Sequence, residues 1–323
     1  MPGAAALDAP PTLPLTRLEP PSWFDVLAGY PPAKAVLPLV LLSIVLPAVW
    51  WLFRGTWRQI DAETEAERPS LVAKPDHRPA ACLLLTAIVL TLHEYYGGRA
   101  FYDQVVRPEL QWLSPPEGPA WLGLGRFDEL YGFAWWSFAR VVGYTLVPIC
   151  VWKLLFRHDR ITDMGLRVRG FFSHIWIYVA CLGVVALVVL VMASQPDFGT
   201  YYPFYKQSSR SVADFLAWEA MYFVQFFALE FFFRGWMLAA LRPSLGSKAI
   251  FVMAVPYCMI HYGKPYLEAH GAIVAGVVLG SLAMRTRSIY AGFLVHIAVA
   301  FLMDFLALLR RGALPTELWP PSP

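Results

Sequence analysis

The chain has 323 residues, of which 58% are hydrophobic and only 15% are charged. Since soluble domains carry about a quarter charged residues, this composition excludes an ordinary soluble protein and predicts an all-α, polytopic membrane helical bundle. The net charge is +3, and because no basic tract is interleaved with aromatic residues, we expect a lipid bilayer and no nucleic acid around the chain.

Hydrophobic runs divide the chain into its predicted elements. The first 34 residues are rich in proline and alanine, and we expect residues 1–34 to be loosely ordered. A helix needs about 20 apolar residues to cross a bilayer. Runs of that order occur at 35–53, 80–96, 130–156, 173–194, 213–241 and 288–309, and two shorter runs, expected to be short buried helices, lie at about 249–261 and 269–284.

These runs predict about eight transmembrane or membrane-buried helices. Residues 35–212 would hold four N-terminal spans with their loops, residues 213–309 a polar membrane core, and residues 310–323 a short tail. If alternate connections lie on one side of the membrane, that side holds 14 Lys and Arg residues against 10 on the other. The positive-inside rule then favours both termini outside.

The loop at residues 158–170 follows the third predicted span and is basic. Basic loops of this kind favour the cytoplasmic side of a membrane. We expect this loop to be a solvated connector at the cytoplasmic headgroups.

The span at 213–241 carries Glu219, Glu230 and Arg234 in its apolar interior. Each charge near the bilayer centre costs roughly 2.5–3.5 kcal/mol on insertion scales, so such residues usually pair or line a cavity. At about 100° per residue the three share one helix face. Glu230 precedes Arg234 by four residues, which is the better orientation for an ion pair. A structural clamp is one interpretation, and a functional site is the other.

Two later stretches place histidines at membrane depth. His261 closes an apolar helix one turn after Tyr257, just before a glycine and a proline break the chain. An imidazole at such an end is suited to ligate a metal or to donate to a substrate carbonyl, although a satisfied interface histidine is the alternative. His296 lies mid-span with Asp304 about two turns on, so we expect both to face one cavity.

Gly276 and Gly280 form a Gly-x-x-x-Gly pattern in the run at 269–284. Small residues at this spacing let neighbouring membrane helices approach closely. We therefore expect these glycines to serve helix packing and not chemistry.

A glutamate and two histidines from separate helices are the minimum set for water-driven amide hydrolysis. The carboxylate takes a proton from water, while the imidazoles hold a metal ion or stabilise the oxyanion. The residue types at positions 230, 261 and 296 fit that chemistry.

The order of these residues resembles the CPBP family of intramembrane proteases, which includes the CAAX prenyl endopeptidases and bacteriocin-processing and Abi-type relatives. The family motifs are Glu-Glu-x-x-x-Arg, Phe-x-x-x-His and His-x-x-x-Asn. The matching stretches, all within residues 213–309, are Leu229-Glu230 to Arg234, Tyr257 to His261, and His296 to Ala300. The resemblance implies a membrane-embedded catalytic core at 213–309.

Two positions depart from the family pattern. Leu229 stands where the family has its first glutamate, which is assigned to water activation, and Ala300 stands where the third motif has asparagine. Glu230 would therefore have to act as the base. Among the nearby acids, Glu268 and Asp304 are better placed than Glu219 to supply the missing polar groups.

Glu219 could support the site from the same helix as Glu230. Three turns separate the two residues, roughly 16 Å along the helix axis. This distance makes Glu219 a poor direct substitute for the missing glutamate.

The resemblance implies a role for each candidate residue. Glu230 would be the general base and Arg234 its orienting partner, with Tyr257 in support. His261 and His296 would be metal ligands or oxyanion donors, and since the family admits metal-dependent and glutamate-only schemes, Zn²⁺ is one expected cofactor. The substrate would be a membrane-associated peptide or protein cut near the surface of a bacterial inner membrane.

Two other functions remain open at this point. The departures at Leu229 and Ala300 are compatible with a pseudoprotease that binds a membrane partner in the same cavity. Short, interrupted spans are also a transporter signature, which expects paired short segments in both halves of the chain. Only the C-terminal half shows such segments.

Overall fold

The computed structural model describes residues 31–67, 76–114, 122–168, 175–194, 198–264 and 266–321. The loose ordering predicted for residues 1–34 lies outside these ranges except at its end. There the first helix already begins at Pro31.

Within the described ranges the chain forms nine helices longer than one turn, and no β-strand. They are α1 (Pro31–Glu67), α2 (Arg78–Tyr96), α3 (residues 99–113), α4 (Leu124–Leu155), α5 (Ile175–Met192), α6 (Val212–Leu245), α7 (Lys248–Met259), α8 (Tyr266–Thr286) and α9 (Tyr290–Arg310).

Seven of these helices are long and apolar enough to cross a membrane, namely α1, α2, α4, α5, α6, α8 and α9. Helix α7 is a shorter apolar helix. The prediction of an all-α, multi-pass membrane bundle with about eight membrane helices is confirmed.

Contacts divide the chain into two units, Met1–Val49 and Trp50–Pro323. In the first unit the described residues belong to α1, where Leu39 and Ile44 are 62% and 65% exposed. Exposed apolar side chains are what a lipid-facing helix presents. The contacts and the site described below belong to the second unit.

Helix α1 continues to Glu67, although the apolar run that predicts it ends at residue 53. The polar extension contacts the turn between α6 and α7. The Arg242 Nη2 donates to Glu63 at 2.8 Å, and the Ser247 backbone N–H donates to Asp61 at 2.7 Å. These partners are distant in sequence, so the hydropathy of the run carries no sign of them.

Helix α3 occupies a stretch for which the sequence predicts only a loop. Asp128 ties it to the start of α4 because its carboxylate accepts from Arg99 Nη2 at 2.5 Å and from the hydroxyl of the buried Tyr102 at 3.1 Å. Helix α4 itself begins at Leu124 and not at residue 130.

Polar contacts join the helix ends in two separate layers. In the layer we call the basic face, made by the described residues at 61–67, 76–78, 153–168, 242–248 and 284–289, Glu63 pairs with Arg242 and Arg287. On the opposite face, Tyr202 donates to Glu268 and the backbone N–H of Val212 donates to the carbonyl of Glu317. Alternate connections therefore meet on the same side, as the sequence predicts.

The loop after α4 is partly buried, which corrects the prediction of a fully solvated connector. Met164 is 3% exposed, and the Gly165 carbonyl accepts from the Ile289 N–H at 2.9 Å. The loop packs against α6 at Gly235, where a Cβ atom would lie 2.5 Å from the Met164 carbonyl oxygen. Because basic residues flank this apolar turn in the sequence, the loop as a whole is predicted to be solvated.

Helix α6 is the most buried of the spanning helices, with 78% of its apolar window inside the bundle. Directly after Glu230 its backbone widens into a π-helical stretch at Phe231–Met237, which contains Arg234. Such wide turns within α-helices are frequent at functional sites.

Helices α7 and α8 pack closely at Gly276 and Gly280 of α8. A Cβ atom would lie 3.1 Å from the Tyr257 ring at Gly276 and 2.8 Å from the Met253 Cε at Gly280. The predicted packing role of these glycines is confirmed. The contact at Gly276 also fixes the ring of Tyr257, which belongs to the site described next.

Candidate active site

Glu230 and Arg234 form an ion pair inside the bundle. Both side chains are almost fully buried, and the Arg234 Nη1 lies 2.9 Å from the Glu230 Oε1. The spacing of four residues on α6 brings them to one face, so the ion pair predicted from the sequence is present. A buried pair of this kind is held by additional hydrogen bonds or is costly.

His296 supplies one of those hydrogen bonds from α9. Its Nδ1 lies 2.7 Å from the Glu230 Oε1, and its Nε2 lies 3.2 Å from the Tyr257 hydroxyl. The Phe226 ring stacks on the imidazole at a centroid distance of 5.1 Å. With a neutral imidazole, Nδ1–H donates to the carboxylate and Nε2 accepts from the tyrosine.

Tyr257 joins α7 to this arrangement. Its ring lies under the guanidinium of Arg234, with Cζ 3.8 Å from the ring centroid, which is a close cation–π contact. We use the term buried cluster for Glu230, Arg234, Tyr257 and His296. Three helices contribute to it, so residues far apart in sequence converge as the candidate site requires.

His261 lies beside the buried cluster and not within it. Its Nδ1 is 2.8 Å from the Tyr257 carbonyl oxygen, and its ring centroid is 4.8 Å from that of Tyr257. The structure therefore brings His261 next to Tyr257, while the hydrogen bond to Glu230 is made by His296.

One oxygen of Glu230 has no partner. Oε1 accepts from Arg234 and His296, whereas Oε2 is buried without a hydrogen bond among the described residues. Gly292, one turn before His296 on α9, faces this oxygen, since a Cβ atom there would lie 2.8 Å from it. Oε2 is the acceptor that remains for a water molecule.

The buried cluster lies near the basic face. Helix α9 begins at this face with Tyr290, and His296 follows six residues later, roughly 9 Å along the axis at 1.5 Å per residue. The Glu230 side chain is 1% exposed. Two surface cavities, of about 450 and 550 Å³, are lined by other residues.

Glu219 and Asp304 form a second polar cluster, separate from the partners of Glu230. The two carboxyl groups are close enough for their charges to interact, and neither Glu219 oxygen nor the Asp304 Oδ1 has a hydrogen-bond partner among the described residues. Trp218 Nε1 donates to the Asp304 Oδ2 at 2.6 Å. On α9, Asp304 follows His296 by about two turns and contacts a different part of α6. The structure therefore does not bring Asp304 and His296 together.

Glu268 belongs to the opposite face. The Tyr202 hydroxyl donates to its Oε2 at 2.5 Å, and the Lys264 Nζ donates to its Oε1 at 2.8 Å. Both carboxylate oxygens are engaged in this way. Neither Glu268 nor Asp304 supplies a hydrogen-bonded group to Glu230.

Comparison of the sequence with known protein families indicates which reaction class this arrangement supports. Residues 211–302 match the family model of the type II CAAX prenyl endopeptidase Rce1-like proteins. This region is Rce1-like. The resemblance inferred from the three motifs is confirmed. The matching region lies in a chain with seven candidate membrane-spanning helices, as expected of an intramembrane protease of the CAAX type.

The Rce1-like region runs from the start of α6 into α9 and so includes the whole buried cluster and His261. Comparisons with curated proteins and with solved structures give no match.

Both departures from the family motifs are packed as apolar residues in the Rce1-like region. Leu229 is 6% exposed, and Ala300 is 5% exposed in a cluster with Trp218 and Tyr222. Each position therefore presents an apolar side chain to the interior where the family motif has a polar one. Glu230 is therefore the acid of the first motif that this chain retains.

The donor atoms of the Rce1-like region do not fit a zinc site. A catalytic zinc takes three protein ligands and keeps one position for water, and the described residues contain no group of three His, Cys, Asp or Glu side chains so arranged. Both ring nitrogens of His296 are engaged with Glu230 and Tyr257. A site formed by His261 and His296 would have to break these bonds.

Two contributors to the site are absent from the sequence prediction. Phe226 stacks on His296, and Gly292 leaves room beside Glu230. The run around Phe226 is so rich in aromatic residues that no single ring stands out. Gly292 lies four residues before His296, so a shared helix face is the signal that points to it.

Proposed function

We propose that the protein is an intramembrane endopeptidase in which Glu230 activates the attacking water. The observation that carries this proposal is the asymmetry of Glu230, with two donors on Oε1 and a free Oε2 inside the bundle. The match of residues 211–302 to the type II CAAX prenyl endopeptidase Rce1-like model supports the reaction class.

The proposed reaction needs only groups of this chain and water. Glu230 Oε2 takes a proton from a water molecule as the oxygen of that water attacks the substrate carbonyl carbon. The same proton then passes from Glu230 to the leaving amine when the C–N bond breaks. Arg234 and His296 hold the carboxylate through Oε1 during this transfer. His261 lies beside Tyr257 with its Nδ1–H donating to the Tyr257 carbonyl, so it would donate to the oxyanion through Nε2 only as an imidazolium.

The substrate we propose is a peptide segment of a membrane-associated protein. The buried cluster lies about six residues below the basic face, so the scissile bond would enter from that side. The near-complete burial of Glu230 means that α7 or α9 must move apart from α6 to admit it. We propose a bacterial inner membrane as the setting.

A Glu230→Gln variant tests this function on a library of membrane-tethered peptides. Removing the base should lower turnover by about 10²–10⁴-fold. Because Gln also leaves the buried Arg234 without its counter-charge, the melting temperature should fall, and turnover is compared at a temperature where both variants are folded. The matched control is Asp214→Asn, which removes another buried carboxylate of α6 that pairs with an arginine four residues away. Undiminished cleavage by Glu230→Gln would contradict the assignment of the base.

A second candidate function is a pseudoprotease that binds a membrane partner. The observation that favours it is the apolar packing of Leu229 and Ala300, where the family has polar groups. In that case the wild-type chain would bind a membrane-tethered peptide without cleaving it. Cleavage by the wild type that disappears in Glu230→Gln rejects this candidate.

A further inference from the structure

A cavity of about 550 Å³ opens on the opposite face, between the ends of α5 and α9. Three cationic side chains line it, from two separate parts of the chain: Lys206, Arg310 and Arg311. Ser194 and Thr200 add hydroxyl groups to the lining. The remaining lining residues are apolar or glycine, so the cavity combines a positive mouth with an apolar wall.

Among the described residues, none of these three cations forms an ion pair with a carboxylate. Lys206 Nζ donates to the carbonyls of Thr200 and Tyr201, and Arg311 donates to those of Ala307 and Tyr202. These acceptors are neutral. Burial and the nearby Arg311 lower the pKa of Lys206, and the charges of Asp304 and Glu129 oppose this shift without cancelling it.

Two described carboxylates, those of Glu129 and Asp304, act on Lys206 without bonding to its Nζ. Glu129 accepts from the backbone N–H of Lys206 at 3.2 Å, and Asp304 accepts from Trp218 at 2.6 Å. Neither lines the cavity. Three cations around one cavity without an acid are the arrangement expected of an anion site.

The cavity lies at the level where a span meets the lipid headgroups. Helix α5 ends at Met192, next to the lining residue Ser194, and α9 ends at the lining residue Arg310. On α5, Leu187 and Val191 are 65% and 63% exposed, which is the apolar surface that acyl chains cover.

Helix-end arginines commonly only complement the helix dipole, but that explanation does not account for Lys206. This residue reaches the same cavity from the segment between α5 and α6. Basic pockets between spans are also a known mode of lipid headgroup recognition.

We propose that this cavity binds the phosphate of an anionic phospholipid headgroup, with the acyl chains against the exposed side of α5. Lys206, Arg310 and Arg311 would contact the phosphate oxygens, and the hydroxyls of Ser194 and Thr200 would face the remainder of the headgroup. This site is independent of the buried cluster and of the proposed protease activity.

The test measures the melting temperature of the purified full chain in neutral detergent while dioleoyl phosphatidylglycerol is added. The wild type should be stabilised by this lipid and not by dioleoyl phosphatidylcholine. Arg310→Gln should raise the lipid concentration at half effect by roughly fivefold, and Arg310→Lys should keep most of the response. Arg310 is exposed at a helix end, so neither variant should impair folding.

The matched control is Arg107→Gln, which removes the same charge on the same face from an arginine that pairs with Asp128 at 2.9 Å. It should respond to the lipid as the wild type does. An unchanged response of Arg310→Gln would overturn the proposal. So would an equal stabilisation of the wild type by inorganic phosphate alone, because the site would then take a free anion.

Discussion

Glu230 is held through one carboxylate oxygen, and its other oxygen is buried without a hydrogen-bond partner among the described residues. Arg234 and His296 both donate to Oε1, at 2.9 and 2.7 Å, while Oε2 faces Gly292. A carboxylate fixed in this way keeps one lone-pair direction for a proton from water without rotating. Charge-assisted bonds are about twice as strong as neutral ones, so this orientation is well determined.

The hydroxyl of Tyr257 orients His296, and its removal should be measurable. In a Tyr257→Phe variant the ring remains over Arg234, but Nε2 of His296 loses its donor. We expect kcat to fall by about tenfold with KM nearly unchanged, since one buried hydrogen bond is worth roughly 1–1.5 kcal/mol.

Tyr131→Phe is the control for this measurement. It removes a tyrosine hydroxyl that donates to the Leu122 carbonyl at 3.0 Å, away from the buried cluster. Steady-state cleavage of one membrane-tethered peptide compares the two variants. A kcat of Tyr257→Phe equal to that of the control would show that the hydroxyl does not position His296.

At the residue scale the sequence predicts local pairs better than tertiary ones. The spacing of Glu230 and Arg234 within one helix is enough to predict their ion pair. The partner of His296 depends on how α6, α7 and α9 pack, which no local pattern encodes. Asp304 illustrates this limit, since it bonds to Trp218 and not to the groups around His296.

At the scale of elements, α6 organises the site through a wide turn and a close approach. The π-helical stretch begins at Phe231, and Gly235 within it lets the loop after α4 touch the helix. That loop in turn accepts the Ile289 N–H at the start of α9. The position of His296 therefore depends on a contact that only glycine permits.

A Gly235→Ala variant should disturb this contact. The added Cβ would lie 2.5 Å from the Met164 carbonyl oxygen, so the loop must shift. We expect a loss of about 1–3 kcal/mol in stability, as for other overpacked sites, seen as a lower melting temperature. Gly183→Ala on α5 is the control, since nothing lies within 4 Å of its Cβ position.

The two glycine variants should differ even though alanine favours a helix at both positions. If Gly235→Ala melts at the same temperature as the wild type or above it, the close approach of the loop is not rigid. The position of His296 would then not depend on this contact.

Helix bounds follow from the sequence where the apolar run alone stabilises the element. The ends of α5, α6 and α9 lie within a few residues of their predicted runs. The extension of α1 and the whole of α3 depend on polar partners such as Asp128 and Arg242, which lie far along the chain. Hydropathy indicates which segments are buried in lipid, but it does not indicate polar contacts between distant parts of the chain.

At the scale of the whole molecule, the helix connections sort into the basic face and the opposite face. The positive-inside rule predicts that the basic face is cytoplasmic. Single cysteines introduced by Arg157→Cys and Glu109→Cys, in a chain whose four native cysteines are replaced by serine, test this orientation.

In intact cells a membrane-impermeant maleimide should label the cysteine at position 109 and reach the one at position 157 only after permeabilisation. Both positions are exposed, so a lack of labelling reflects the membrane and not burial. The reverse pattern would place the buried cluster near the outer surface and reverse the side from which a substrate enters.

In the proposed mechanism Glu230 and His296, on separate helices, act as one catalytic unit. A double-mutant cycle in kcat/KM with Glu230→Gln, His296→Gln and the combined variant measures this most directly. Because residues that act as a unit are strongly non-additive, the combined variant should lose about as much as Glu230→Gln alone. Losses that multiply would show that the two residues act independently and would contradict the account.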